Sequence, residues 1–389
     1  MSVVTIAGDK IILPGGVFCG YITAKDGVIQ AISKNRPKEC GRLIDATGLY
    51  VSAGFIDIHT HGGGGSDFMD GTADCIANGV LAHLKHGTTT IIPTTLASIP
   101  DEVFAFLDNF HKVQHELVDG PYMHGVHLEG PYFNPAMAGA QDPKYIKPPC
   151  PEEYKKIIDY AKGVIVRWSL APELDGSIEM GDYLFSHGII PSIAHSNAEY
   201  IEVEEAFNHH FNLITHFYSC ISGLMRRNSY RFLGVIESGY LIDDMDVEII
   251  ADGHHLPPEL LKLIYKIKGP DRIALCTDSM RAAGTSDTES IIGSLKNGQK
   301  VIVEDGVAKM PCRTSFAGSV ATADLLVRTM HTKADVDIIN SIKMMTTTPA
   351  RILGLKNKGA IAVGMDCDLA IFDSDINIKS VIMDGKEVL

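Results

Sequence analysis

Eight short β-rich runs alternate with helical patterns through the middle of this 389-residue chain, and that alternation restricts the fold more than any other feature. The runs are FIDIHTH, TTTIIPT, MHGVHLEG, VIVRWSLAPE, GIIPSIAHS, NLITHFY, VEIIADG and RIALCTDS. Most are separated by helical patterns such as TADCIANGVLAHLKHG, PDEVFAFLDNFHKV, PEEYKKIIDYAKG, EYIEVEEAFNHH and PPELLKLIYKIKG. In the second of these, Val103, Phe106, Phe110 and Val113 recur at helical spacing behind a proline in the first turn, as a helix laid on a sheet requires. Strands alternating with helices mean a parallel α/β sheet, and eight of them imply closure into a (β/α)8 barrel.

The two ends read differently. From Val3 to Ile32, short β-rich runs are broken by the turn signals GDK, PGG and KDG, and the chain closes in the same manner with DCDLAIFD and SVIMDGKEV. The expected organisation is a small β domain from residues 1–53 and 355–389 around a barrel at 54–354. A polar β insert near 285–314 interrupts the barrel pattern, and helices are expected at Ser319–Thr332 and Val336–Thr347.

Composition limits the partners. The formal net charge of -14 excludes a general nucleic-acid or anionic-membrane binder, since both need a basic surface. No apolar run approaches the roughly 18 residues of a membrane span, and MSVVTIAGDKIILPGG lacks the build of a signal peptide, so a cytoplasmic location is expected. Eight scattered cysteines without a C-x-x-C pair suggest neither a disulfide framework nor a thiolate zinc site.

The chemistry-bearing residues gather at the ends of the predicted strands: His59 and His61, Glu129, His195, His216, Asp252 with His255, and Asp278. Barrel active sites form at that end. Residues two apart on a strand share a face, so Asp57, His59 and His61 point inward together. Imidazole suits zinc and iron, and Glu129 adds an oxygen ligand able to bridge two ions. Asp57 is placed to hold one histidine through its second nitrogen. Gly62 to Gly65 read as a loop that bends sharply close to a bound substrate.

GFIDIHTHG, HLEGPYFNP, GAQDP, SIAHSNA, ITHFY, IADGHH, LCTDSM, SFAGS and TTTPARILGL with GAIAVGMDCDLAIFD occur in order. Together they resemble the N-acetylglucosamine-6-phosphate deacetylases of the amidohydrolase superfamily over nearly the whole chain. The resemblance implies a distorted (β/α)8 barrel, a β-sandwich built from both termini and a homodimer. It implies one or two divalent ions, zinc or iron, with Glu129, His195 and His216 at the principal site and His59 and His61 at a second site bridged by Glu129. Asp278 is then the catalytic carboxylate and a further metal ligand, and His255, with the adjacent His254 as the alternative, the group at the scissile carbonyl. Of Arg226, Arg227 and Arg231, Arg227 is the match for an arginine that reaches the substrate phosphate across the dimer interface. Ser219, Cys220, Gln141 and Ala317 fall in the remaining substrate-contacting segments.

The implied reaction is hydrolysis of the N-acetyl amide of an amino-sugar phosphate. Asp278 accepts a proton from water and returns it to the departing amine. The chain departs from the family pattern at Ser219 and Cys220, where relatives carry asparagine and alanine, and at Gln141, where several carry histidine. These departures keep open another N-acetylhexosamine phosphate, such as the galacto epimer. A cyclic-amide hydrolase is a further alternative, although such enzymes use a carboxylated lysine that no strand end here offers. A non-enzymatic barrel is disfavoured by retention of every expected ligand together with Asp278.

Overall fold

A computed structural model describes residues 2–389 of the chain. Each expected run forms a strand: β1 Phe55–Thr60, β2 Thr88–Pro93, β3 Val126–Glu129, β4 Ile165–Leu170, β5 Ile190–Ile193, β6 Leu213–Ile214, β7 Asp246–Ile249 and β8 Ile273–Leu275. β3 to β8 pair in parallel as one sheet, and β1 pairs in parallel with β2. A parallel bridge between Thr94 and His127 joins β2 to β3. Backbone bonds close the ring: the Asp278 N–H donates to the His59 carbonyl at 2.9 Å, and the His61 N–H to the Ser279 carbonyl at 2.8 Å. The architecture is an α/β TIM-like barrel.

The strand period sets what faces where. Ile56 and Ile58 of β1 turn outward into an apolar cluster with Ala350 and Leu353, while Asp57 and His59 are buried on the opposite face. Helices cover the outside. Pro100–Glu116 starts with proline, Asp101 and Glu102 in its first turn, which suits the positive end of the helix dipole. It buries Val103, Phe106, Leu107, Phe110 and Val113 on one stripe. Two helices that the apolar periodicity does not reveal are Ser177–Ser186 and Val235–Leu241. Each carries a glycine pressed against an aromatic ring; a Cβ on Gly181 would lie 2.2 Å from Phe211, and one on Gly239 2.7 Å from Phe217.

The helix expected from Ser319 begins at Ala323, because Ser319 is held against the end of β8: its N–H donates to the Asp278 carbonyl at 2.7 Å. The second runs Ile338–Met345. The insert forms a three-stranded antiparallel sheet, Glu289–Ile292, Gln299–Glu304 and Val307–Lys309, which packs Ile292, Val301 and Ala308 against Met280 and Ala317.

Strands from both chain ends join in one eight-stranded sheet. Leu369–Phe372 lies between Tyr50–Ala53 and Ile378–Met383, and Val3–Leu13 pairs with Gly16–Lys25, Arg42–Asp45 and Tyr50–Ala53. Val4, Ile6, Ile22, Ile29, Val51, Leu369 and Ile382 form its own apolar cluster.

The glycine run has a different purpose from the expected approach to substrate. Gly62–Gly63 pairs with Ser66–Asp67 across a two-residue turn in which Gly64 and Gly65 have φ of 59° and 88°, as a type I′ hairpin demands. A Cβ on Gly62 would sit 2.2 Å from the Ser66 carbonyl oxygen. The hairpin is bound by backbone bonds to the Ser279, Arg281 and Ala283 carbonyls, and none of its glycines lines the central cavity. Close approach of backbone at Gly62 and the positive φ of Gly64 and Gly65, not cavity lining, account for the run.

The buried stripe of Pro100–Glu116 should dominate that helix's contribution to stability. Phe110→Ala is expected to cost about 3–5 kcal/mol in urea denaturation, against about 0.5 kcal/mol or less for exposed Lys112→Ala.

Candidate active site

The strand ends deliver their polar side chains to one place by turning sharply. His195, His216 and Asp278 follow β5, β6 and β8 with φ of 46°, 31° and 45°. This left-handed geometry costs a non-glycine residue of order 1–3 kcal/mol and concentrates at functional sites. It ends β6 after two residues, where a longer strand was expected.

Glu129, at the end of β3 and almost wholly buried, is the centre of the constellation. Its Oε1 lies 3.0 Å from His216 Nε2 and 3.4 Å from His195 Nε2, and those two nitrogens are 3.2 Å apart. Its Oε2 lies 3.4 Å from His61 Nε2. His59 Nε2 is 3.3 Å from His61 Nε2 and 3.7 Å from Glu129 Oε1. Asp278 Oδ1 approaches His61 Nε2 at 3.0 Å and His59 Nε2 at 3.5 Å. Two groups, Glu129–His195–His216 and His59–His61–Glu129, thus each bring three ligand atoms together and share one carboxylate.

The donor chemistry fits a cation. His195 Nδ1 sits 2.8 Å from the Met137 carbonyl oxygen and His216 Nδ1 3.1 Å from that of Ser219, so each Nδ1 carries the proton and donates. In the neutral rings both Nε2 lone pairs therefore face each other and a carboxylate with no proton between them. A positive charge must fill the gap. The electrostatics agree. Burial opposes charge on His61, yet Asp278 and Glu129 push it up to about 9; burial likewise opposes charge on His195, yet Cys220 and Glu129 raise it well above its ordinary range. Glu129, despite complete desolvation, is held well below the usual carboxylate range by His59, His195 and His216. Asp278 is desolvated too and is kept low by His59 and His61.

The partner expected for the second nitrogen of a β1 histidine is not Asp57. That carboxylate is taken by Thr277, accepting its hydroxyl at 2.6 Å and its N–H at 3.2 Å. His59 Nδ1 instead faces Glu248 Oε1 on β7 at 3.5 Å. Glu248 is fully buried and held by a two-pronged Arg167 guanidinium, Nη1 to Oε1 at 2.9 Å and Nη2 to Oε2 at 2.6 Å. Neither residue stands out by motif, but the alternation in VIVRWSL places Arg167 on the inward face with Ser169, which is the signal that reveals it.

Above the histidines opens a cavity of about 290 Å3. His61, Glu129, His195, His216, His255, Asp278, Gln141, Ser219 and Cys220 line it, while His59 is fully buried behind. His255 Nδ1 is fixed 2.7 Å from Asp252 Oδ2, and its ring packs on Phe316 with centroids 4.4 Å apart. Its neighbour His254 is not among the lining residues. Ala317 is buried behind the wall, where Ser315, Phe316 and Gly318 reach the cavity instead. Leu96, Ala140, Tyr218 and Ile292 complete the lining, and of these Leu96 and Ile292 carry no motif signal. Arg227 is not in the cavity of its own chain. It lies on the exposed hairpin Met225–Arg227/Tyr230–Phe232 with Arg226 and Arg231, paired with Glu199 and stacked 4.0 Å over the Phe232 ring.

Residues 50–388 match the amidohydrolase family. The N-acetylglucosamine-6-phosphate deacetylases of Vibrio furnissii and Bacillus subtilis (strain 168) are 31% and 32% identical to this chain, each over 94% of it and over 89% and 92% of their own lengths. The chain belongs to the N-acetylglucosamine-6-phosphate deacetylase family of amidohydrolases. A mutant of the Mycobacterium smegmatis N-acetyl-D-glucosamine-6-phosphate deacetylase, solved in complex with N-acetyl-D-glucosamine-6-phosphate, superposes with a TM-score of 0.92. It is 26% identical, with all of both chains covered. The family implies a divalent metal, and the two carboxylate-sharing histidine pairs are where this chain would hold it.

Beneath the site, Glu248→Gln should strand the Arg167 charge and destabilise the fold by about 3–5 kcal/mol, seen as a lowered denaturation midpoint. Replacing both partners, as Arg167→Met with Glu248→Leu, should recover part of that loss.

Proposed function

We propose that this chain is a metal-dependent deacetylase that hydrolyses the N-acetyl amide of N-acetylglucosamine 6-phosphate to glucosamine 6-phosphate and acetate. The observation that carries it is the convergence of His61, Glu129, His195, His216 and Asp278 at one cavity, with His59 directly behind them, within a chain whose relatives carry that activity. Zinc or iron, as one or two ions that Glu129, His195 and His216 with His59 and His61 would hold, would supply a Lewis acid and lower the pKa of water toward neutrality.

The remaining work belongs to this chain's own side chains. Asp278 takes the proton of the attacking water at its carboxylate and passes it to the departing amine nitrogen. His255, its Nδ1 bound to Asp252, has its other ring nitrogen left to hydrogen-bond the substrate carbonyl as charge develops there. Gln141, Ser219 and Cys220 border the space for the sugar, with Ala317 supporting that wall. No lysine lines the cavity among the described residues, which disfavours a cyclic-amide hydrolase built on a carboxylated lysine.

The exposed Arg227 hairpin supports a homodimer in which each chain offers its guanidinium to the phosphate bound by the other, a fork suited to phosphate oxygens. Residues 1–53 and 355–389 are read as a β-sandwich domain beside the catalytic barrel at 54–354, consistent with their separate apolar cluster. No helix is long and apolar enough to cross a membrane among the described residues, and we place the reaction in cytoplasmic amino-sugar breakdown.

Acetate release should be fastest with N-acetylglucosamine 6-phosphate, slower with its galacto epimer and the unphosphorylated sugar, and lost on complete chelation. Activity that survives full metal removal would overturn the mechanism. Asp278→Asn should lower kcat by about 10²–10⁴-fold while metal content measured by elemental analysis stays unchanged. Arg227→Ala should raise KM for the phosphorylated sugar alone; an equal effect on the unphosphorylated sugar would remove its role in phosphate binding.

A further inference from the structure

Gln141 is nearly completely buried, and both ends of its side-chain amide are committed. The Ala97 N–H donates to its Oε1 at 2.8 Å. A backbone N–H can only donate, so that end of the amide is the oxygen and the other end is the NH2. The NH2 then donates to Glu129 Oε2 at 2.7 Å. Gln141 stands in the loop after β3 and Ala97 in the loop after β2, so one side chain ties two loops to the shared carboxylate. Its backbone is anchored as well, with the Gln141 N–H donating to the Ala138 carbonyl at 2.9 Å.

The contact falls on the oxygen that matters for the second histidine pair. Glu129 Oε1 faces His195 and His216, with His59 farther off at 3.7 Å, and Oε2 faces His61. A carboxylate oxygen offers two in-plane lone pairs. With one of those on Oε2 taken by a neutral donor, the carboxylate cannot rotate to give both oxygens to the His195–His216 side, and the other lone pair stays directed at His61. Glutamine suits this task because it donates without bringing a charge or a competing ligand nitrogen.

We infer that Gln141 is a positioning residue that fixes the plane of Glu129 in its bridging orientation, and so sets the affinity of the His59–His61 site for a second divalent ion. This rests on the metal-dependent reading above, which the acetate-release assay tests separately; the test here is metal binding. The near-isosteric Gln141→Met removes the amide while keeping the volume, and Gln141→Asn keeps an amide too short to span Ala97 and Glu129.

Titration of the metal-free full-length chain with Zn2+ by calorimetry, checked by elemental analysis after dialysis, should give two ions for the unaltered protein. In both variants the weaker site should lose about 10–100-fold in affinity, with the tighter site and the melting temperature of the metal-free protein unchanged. Unaltered binding of both ions by Gln141→Met would overturn the inference. So would uptake of only one ion by the unaltered chain, parallel weakening of both sites with a fall in melting temperature, or a change confined to KM for the sugar phosphate.

Discussion

A carboxylate taken out of water must be compensated where it stands, and Glu129 is compensated by four imidazoles from three strand ends. Nothing apolar could replace this arrangement: His195 and His216 turn Nε2 to the acid while Nδ1 donates to a backbone carbonyl. The same demand recurs one layer down. Glu248 is desolvated beneath His59 and balanced by Arg167, whose guanidinium also reaches the Thr215 hydroxyl at 2.6 Å. Ser169 then links Ser192 and His127 in a hydroxyl chain across the barrel floor. The barrel interior is therefore polar near the site and apolar only where the strands face the helices, and the two layers hold each other in register.

Much of this was legible before the fold was known, for a physical reason. A strand ending in histidine or a carboxylate is rare enough that several in one chain point to a common destination, and the period of two tells which neighbours share the inward face. Periodicity located Pro100–Glu116 for the same reason, since four apolar residues recur on one stripe. What escaped was set by contacts distant in sequence. Gly181 and Gly239 weaken the helical signal of their segments, yet each is required by a ring that belongs to another element. Glu248 as the neighbour of His59, in place of the nearer Asp57, follows from ring closure that brings Thr277 onto Asp57. No local pattern carries that information.

The glycines after His61 show how one residue type admits two physical readings. Both a close ligand and a tight backbone hairpin exclude a Cβ, and composition cannot separate them. Direction separates them: the missing Cβ of Gly62 points at the Ser66 carbonyl, and the loop's backbone bonds run to the segment after β8. The glycine run thus helps fasten the end of β1 to the end of β8, which keeps His61 and Asp278 on adjoining edges of the ring. In contrast, Ser219 and Cys220 sit on the cavity wall itself, shortly after His216, where exchange of a side chain alters the cavity without disturbing the ring.

The mixed sheet has a consequence for how the molecule is made. Leu369–Phe372 occupies a central place in it, with Tyr50–Ala53 on one side and Ile378–Met383 on the other. During synthesis the early strands must wait, one edge unpaired, until more than three hundred further residues have left the ribosome. That open edge is a template for pairing with other chains until then, and removing the last strands of the chain would leave it open for good.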